Sequence, residues 1–233
     1  MKCVVLKIGG SVLTSDAEAV LAVELVEAHR GTGVCVVAVI SAVKGETDRL
    51  LGAVQGETDE VKATVLMEGE RRARDLVAEE LGGLGVRSLE PEAMGLRAAG
   101  DVLDACPVGL SEDFMADVME DGGVVLVPGF FGVDGEGQPL LFGRGGSDLT
   151  AIFLAGRLGA EECVLYKNVP GIADCDPHGE GAMASFRSWM TLEQAVEEAR
   201  GVVQEKALAW ALMERIGFRV TDCPDHEGTF IRD

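Results

Sequence analysis

"KCVVLKIGGSVLTSDAEAVLAVELVEAHR", residues 2–30, is the stretch on which the fold turns. Residues 2–8 form a short β-rich run ended by Gly9 and Gly10, and from Asp16 to Arg30 apolar residues recur at helical spacing. A strand, a glycine turn and a helix are the opening of an α/β protein. The next run, "VCVVAVIS" at 34–41, is apolar throughout rather than alternating, which suits a parallel strand covered on both faces.

The same alternation continues along the chain. A charge-rich helix is expected from Thr58 to Leu81 and closes on the glycines of "GGLGV". A buried strand follows at 124–127 with a proline and glycine loop after it, then a helix at 149–158 and the strand "ECVLYKN" at 162–168. A last helix is predicted over 191–216, with "GFRVTD" and "GTFIRD" as closing strands. No repeat, low-complexity tract or linker interrupts the pattern. It predicts one α/β domain, a three-layer αβα sandwich with a mainly parallel central sheet, whose halves (1–145 and 146–233) form two lobes around a cleft.

Composition narrows the function. The 233 residues are 47% hydrophobic, enough for a large core, yet no segment reaches the roughly 18 uninterrupted apolar residues of a membrane span. No signal peptide is expected either. The six cysteines are scattered without CxxC spacing, so free thiols in a reducing cytoplasm are expected and a zinc site is not. The formal charge of −20 argues against nucleic acid and lipid surfaces, both polyanions. An anionic small molecule would have to be drawn in by a local cluster of cations.

Such a cluster is visible in the motifs. "LKIGGSVL" places Lys7 at a strand end beside Gly9, Gly10 and Ser11, and glycines let backbone N–H groups approach a phosphate while lysine supplies a point charge. The order is neither GxxxxGK[ST] nor GxGxxG. "ISAVKGETDRLL" brings Ser41 and Thr47 to a strand-to-helix junction, where they bind a ligand or cap the helix. Glu70 lies in "MEGERRARDL", a helical stretch whose Gly69 is out of place in a helix interior. The most specific stretch is "GRGGSDLTA". Arg144 among glycines suits bidentate capture of a carboxylate, and Ser147 and Asp148 stand at a helix start. "YKNVPGIADCDP" ends a strand on Lys167 and continues through a Pro-Gly turn.

Taken in order, "LKIGGS", "VISAVKGETDRLL", "EGERRA", "PGFFGVDGEGQPLLFGRGGSDLTA", "GAEECVLYKNVPGIADCDP" and "FRVTDCPDHEGTFI" resemble the aspartate kinases of the amino-acid kinase family, over nearly the whole chain. The resemblance implies ATP-dependent phosphorylation of the side-chain carboxylate of aspartate or a close analogue, with Mg²⁺ arriving on ATP. It implies that Lys7 stabilises the transferred phosphoryl group and that Asp148 orients Lys7. Gly9, Gly10 and Ser11 are then the phosphate loop, and Lys167, Asn168, Gly171, Asp174 and Asp176 fall on the nucleotide loop. Arg144 holds the acceptor's unreacted carboxylate and Glu70 its ammonium, while Ser41, Thr47 and Ser147 line the acceptor pocket. A homodimer is also implied, and no protein-bound resident metal.

Three departures qualify the resemblance. The family's second phosphate-binding lysine is missing from "EEARGVVQEKAL", where Gly201 takes its place and Arg200 or Lys206 offers a substitute. His178 replaces the arginine that commonly follows "DP". The sequence stops at Asp233, directly after "GTFI", so the resemblance implies a catalytic domain without regulatory modules and without inhibition by lysine or threonine. Alternative readings are a family kinase for another small carboxylate or phosphate, and a non-catalytic nucleotide or metabolite sensor.

Overall fold

The computed structural model describes residues 2–31, 33–83, 85–121, 123–174 and 185–233. The first half runs β1 (Lys2–Ile8), α1 (Ala19–His29), β2 (Val34–Ile40), α2 (Glu46–Ala53), α3 (Asp59–Leu81) and β3 (Val86–Ser88). Then come β4 (Arg97–Asp101), β5 (Asp104–Gly109), α4 (Glu112–Asp121), β6 (Gly123–Pro128), β7 (Phe131–Val133) and β8 (Pro139–Leu141). The chain continues with α5 (Gly146–Leu158), β9 (Glu162–Tyr166), β10 (Trp189–Met190), α6 (Leu192–Glu198), α7 (Glu205–Glu214), β11 (Phe218–Thr221) and β12 (Thr229–Ile231).

Eight strands form the central sheet in the order β10-β12-β11-β9-β1-β2-β6-β3. Every neighbouring pair is parallel except β11 with β12, as the unbroken apolar runs predict. Alternate residues feed two cores. Val5, Val37, Val127 and Leu165 pack with α5, α6 and α7 on one face, and Leu6, Ala38, Leu126 and Val164 pack with α1 and α3 on the other. Layer by layer this is the predicted αβα sandwich.

Three local expectations need correction. The helix predicted over 191–216 is two helices. Thr191 and Gln194 make a capping box that starts α6, and the chain breaks after Glu198, with the amides of Val202 and Val203 both donating to the Ala199 carbonyl at 2.9 Å. Gly201, a weak helix former, sits in the break, and burial of Val203 holds the turn against the core. The helix expected at 149–158 begins three residues earlier, at Gly146, because Gly145 caps it in a left-handed conformation (φ 78°). Between 97 and 141 the chain builds a second sheet, β5-β4-β7-β8, that the sequence pattern did not announce. Its Phe131 and Leu141 pack under Ala63, Leu66 and Met67 of α3, so it closes one side of the cleft.

Among the described residues, no helix is long and apolar enough to cross a membrane. Cys3, Cys35 and Cys163 are buried; burial pushes the Cys3 thiol up to about 12 and the Cys163 thiol higher still, so both stay protonated.

Candidate active site

The cleft opens beyond the carboxyl ends of β1, β2, β6 and β9, where ligands of open α/β sheets bind. Lys7, near the end of β1, pairs across the sheet with Leu165, two residues before Lys167. Both lysines therefore rise from neighbouring parallel strands into one space. Asp148, in the first turn of α5, stands between them: Oδ1 lies 3.2 Å from Lys7 Nζ and Oδ2 accepts a 2.6 Å hydrogen bond from Lys167 Nζ. It is 2% exposed. It does not cap the helix; Gly145 holds the N-cap position, and the carboxylate is spent on the lysines.

Burial alone would raise the Asp148 pKa, but Lys7 and then Lys167 outweigh it and hold the carboxyl below its usual range. Lys167 is pushed down, by burial first and by the Lys7 charge second. Two cations thus share one anion, leaving a local positive excess inside an acidic protein.

Glycine loop geometry follows from close approach. A Cβ on Gly9 would lie 2.5 Å from Lys7 Nζ and 2.7 Å from Ser41 Oγ, so only glycine leaves the lysine head in place. The loop after β1 closes on itself through amides of Val12 and Leu13 donating to the Gly9 carbonyl at 2.7 and 2.8 Å. Ser11 Oγ and Ser41 Oγ are buried with no hydrogen-bond partner among the described residues. In a native protein such groups call for a ligand or water.

Glu70 forms another part of the wall, close to Lys7 and Ser147. It projects from α3, where Gly69 lets the helix approach α2: a Cβ there would meet Leu50 Cδ1 at 3.1 Å and Ala42 Cβ at 3.4 Å. Glu70 is 4% exposed and accepts a long 3.4 Å hydrogen bond from Ser147 Oγ. Burial pushes its pKa up to about 8 despite the Ala42 amide, Lys7 and Ser147, which pull it down. A buried carboxyl so poised is matched to a cationic ligand group, which would restore its charge.

This has a measurable consequence. The unfolded chain ionises Glu70 near 4.5 whereas the folded chain resists until about 8, so the group lowers stability progressively as pH rises across that interval. Glu70→Gln is expected to melt higher than the parent at pH 8 and to match it at pH 4. Equal melting at pH 8 would show that Glu70 ionises freely in the apo protein.

Lys7, Gly10, Ser41, Thr47 and Glu70 line one cavity of about 550 Å³ together with Arg144, Ser147, Asp148 and Lys167. Gly9 lies directly behind Lys7. The structure does not bring Asn168, Gly171 or Asp174 of the expected nucleotide loop to this cavity. Asn168 is exposed, Gly171 packs on Thr229, and Asp174 bonds Ser185, while Asp176 lies outside the described residues, as does His178. Arg144 is exposed on the cavity rim with no hydrogen bond or ion pair among the described residues. Sequence reasoning gave no role to Lys44, Leu66, Phe130 and Gln204, which also line the cavity. Gln204 had no signal because the helix break that presents it was not foreseen.

The cations proposed to replace the missing lysine are engaged elsewhere. Arg200 donates to the Val196 carbonyl at 2.6 Å and lies 3.2 Å from Glu205. Lys206 binds Asp104 at 2.5 Å and the carbonyls of Ala105 and Phe142 at 2.7 and 3.1 Å, in a side cavity that borders Arg144. Asp222, Cys223 and His226, whose ligand atoms lie within 4.8 Å of one another, form a separate group that does not line the main cavity.

Comparison with known proteins gives a consistent picture. The chain is 36% identical over 185 residues to the aspartokinase of Mycobacterium tuberculosis H37Rv, covering 76% of this chain and 44% of that one. It is 31% identical over 229 residues to the aspartokinase of Pseudomonas aeruginosa, covering 94% and 55%. The chain spans about half the length of these curated relatives. The crystal structure of aspartate kinase from Synechocystis superposes with a TM-score of 0.81 at 26% identity, covering 98% of this chain and 40% of that one. The model of the amino acid kinase family matches residues 2–214, a span that takes in the glycine loop, the shared aspartate and both of its lysines, and the chain belongs to that family.

Proposed function

We propose that this protein transfers the γ-phosphoryl group of ATP to the side-chain carboxylate of L-aspartate, giving an acyl phosphate and ADP. The observation that carries the reading is Asp148 held between Lys7 and Lys167 in a cavity that Arg144 and Glu70 also line. A carboxylate oxygen forms the new O–P bond while the bond from phosphorus to the ADP oxygen breaks. The acceptor is already ionised at neutral pH, so no base is needed; the work is positioning and neutralising charge.

Lys7 and Lys167 are assigned to the phosphates, Arg144 to the acceptor's other carboxylate and Glu70 to its ammonium, with Ser41, Thr47 and Ser147 shaping the acceptor end. Gly9, Gly10 and Ser11 supply amides and a hydroxyl to the phosphates, and the unpartnered Ser11 and Ser41 hydroxyls fit that use. Acceptor contacts then come mostly from 1–145 and nucleotide contacts from 146–233, including Asn168, Gly171, Asp174 and Asp176 where ATP extends along that loop. Mg²⁺, bound mainly through phosphates and water, supplies further neutralisation, because Asp148 is taken by the lysines and Glu70 resists ionisation. A homodimer working in the cytoplasm completes the reading.

Hydroxylamine trapping tests it. With ATP and L-aspartate the protein is expected to form a hydroxamate, at a rate well above those with glutamate or acetylglutamate. No hydroxamate from aspartate, together with ADP release on a simple phosphate acceptor, would assign the chain to a different chemistry within the family.

A further inference from the structure

We infer that Lys44 contacts the transferred phosphoryl group and supplies its third lysine, the charge that the α6–α7 segment does not provide. The inference rests on the reading that the cavity holds nucleotide phosphates, and is independent of which acceptor is used.

Among the described residues, four cations line the cavity: Lys7, Lys44, Arg144 and Lys167. Lys7 and Lys167 are bound to Asp148, whereas Lys44 and Arg144 have no hydrogen bond or ion pair from their side chains to any described residue. The protein carries twice as many acidic as basic side chains, 40 against 20, so a cation left unpaired at a cavity wall stands out against its surroundings. The two unpaired cations sit in different places. Arg144 borders the side cavity shared with Gln204 and Lys206. Lys44 is built onto the glycine loop. A Cβ on Gly10 would come within 3.1 Å of Lys44 Cα and 3.2 Å of its amide nitrogen, and that amide donates to the Leu13 carbonyl at 2.9 Å.

The segment is fixed at its far end as well, because Gly45 (φ 80°) turns the chain directly into α2. Lys44 therefore springs from a rigid backbone laid against the loop that follows Lys7. Its side chain is exposed and unpaired, so it can close over phosphate oxygens without breaking an existing contact. Arg200 and Lys206, the only cations of the segment expected to carry the missing lysine, are held by carbonyls and carboxylates away from this wall.

The test compares the full chain with Lys44→Ala and Lys44→Arg, each first shown to melt within a few degrees of the parent. In Lys44→Ala, kcat is expected to fall by about 10- to 100-fold with the acceptor KM changed less than about threefold, and Lys44→Arg to recover most of the loss. Calorimetric titration without acceptor should show weaker binding of a non-hydrolysable ATP analogue and little change for ADP. Unchanged kcat and analogue affinity in Lys44→Ala would overturn the proposal, as would a loss confined to the acceptor KM. The titration separates the two readings: if aspartate yields no hydroxamate while the analogue still binds the parent, only the acceptor assignment fails, and the difference between parent and Lys44→Ala still decides the role of Lys44.

Discussion

Lys7→Ala is expected to lower kcat by roughly 10²-fold or more while leaving the protein folded. Lys7 is 8% exposed at the end of a central strand, and its ammonium is held 3.2 Å from Asp148 before any ligand arrives. On the proposed reading, a largely buried charge fixed in advance stabilises the negative charge gathering on the phosphoryl oxygens without reorganising as the reaction proceeds. Lys167 remains on the other oxygen of Asp148, so the carboxylate keeps a partner and the fold is spared an isolated buried anion. On the proposed reading Lys7 meets transition-state charge, so the loss is expected in kcat more than in the KM for ATP. A kcat within a fewfold of the parent would remove Lys7 from the reaction.

Asp148→Asn should damage both stability and turnover. It leaves Lys7 and Lys167 facing each other in a site from which the carboxylate they share has been taken. Breaking a buried charge group by removing one partner costs about 3–5 kcal/mol, and a chain of this size loses roughly 2–4 °C of melting temperature per kcal/mol, so a drop on the order of 10 °C is expected at pH 7. The pH dependence identifies the cause. Lys167 is already pushed down by burial and by Lys7, and without Asp148 it goes further down, so its penalty fades as pH rises and it gives up its proton. The melting gap to the parent should narrow between pH 7 and pH 9.5. A gap constant with pH would mean that Asp148 acts through packing alone.

Much of this architecture was legible because parallel strands buried on both faces leave an unmistakable mark. "VCVVAVI" and "VVLV" admit no solvent-facing side, and glycines punctuate the ends of the elements between them. The site was legible for a related reason: a lysine, an arginine or an aspartate at a strand end or helix start cannot be explained by the core. Lys7, Arg144, Asp148 and Lys167 all stood out in that way, and all line the cavity.

What escaped was structure whose cause lies far away in the chain. The strand "RAAGD" (97–101) has no apolar alternation and owes its place to pairing with β5 and β7. The break between α6 and α7 follows from how Val203 meets the core, which helical periodicity does not register. Nothing in the sequence singles out Lys44; its place on the cavity wall, its unpaired side chain and its backbone contact with Gly10 do. Past Lys167 the chain turns toward β12, where Ile172 donates to Thr229 Oγ1 at 2.8 Å, and this carries Gly171 and Asp174 off the cavity wall.

The helix break has one further consequence. A Cβ on Gly145 would fall 2.2 Å from Cβ of Gln204, so the residue after Arg144 and the turn between α6 and α7 are in direct contact, about sixty residues apart in the chain. The turn is expected to act as a set screw on the arginine: a different side chain at 204 would shift Gly145 and with it the aim of the neighbouring guanidinium, from a wall of the same cavity. On the proposed reading, in which Arg144 holds the acceptor, selectivity for the acceptor's length depends on residue 204 as well, and in variants selected for longer or shorter diacids changes are expected at 204 alongside Arg144.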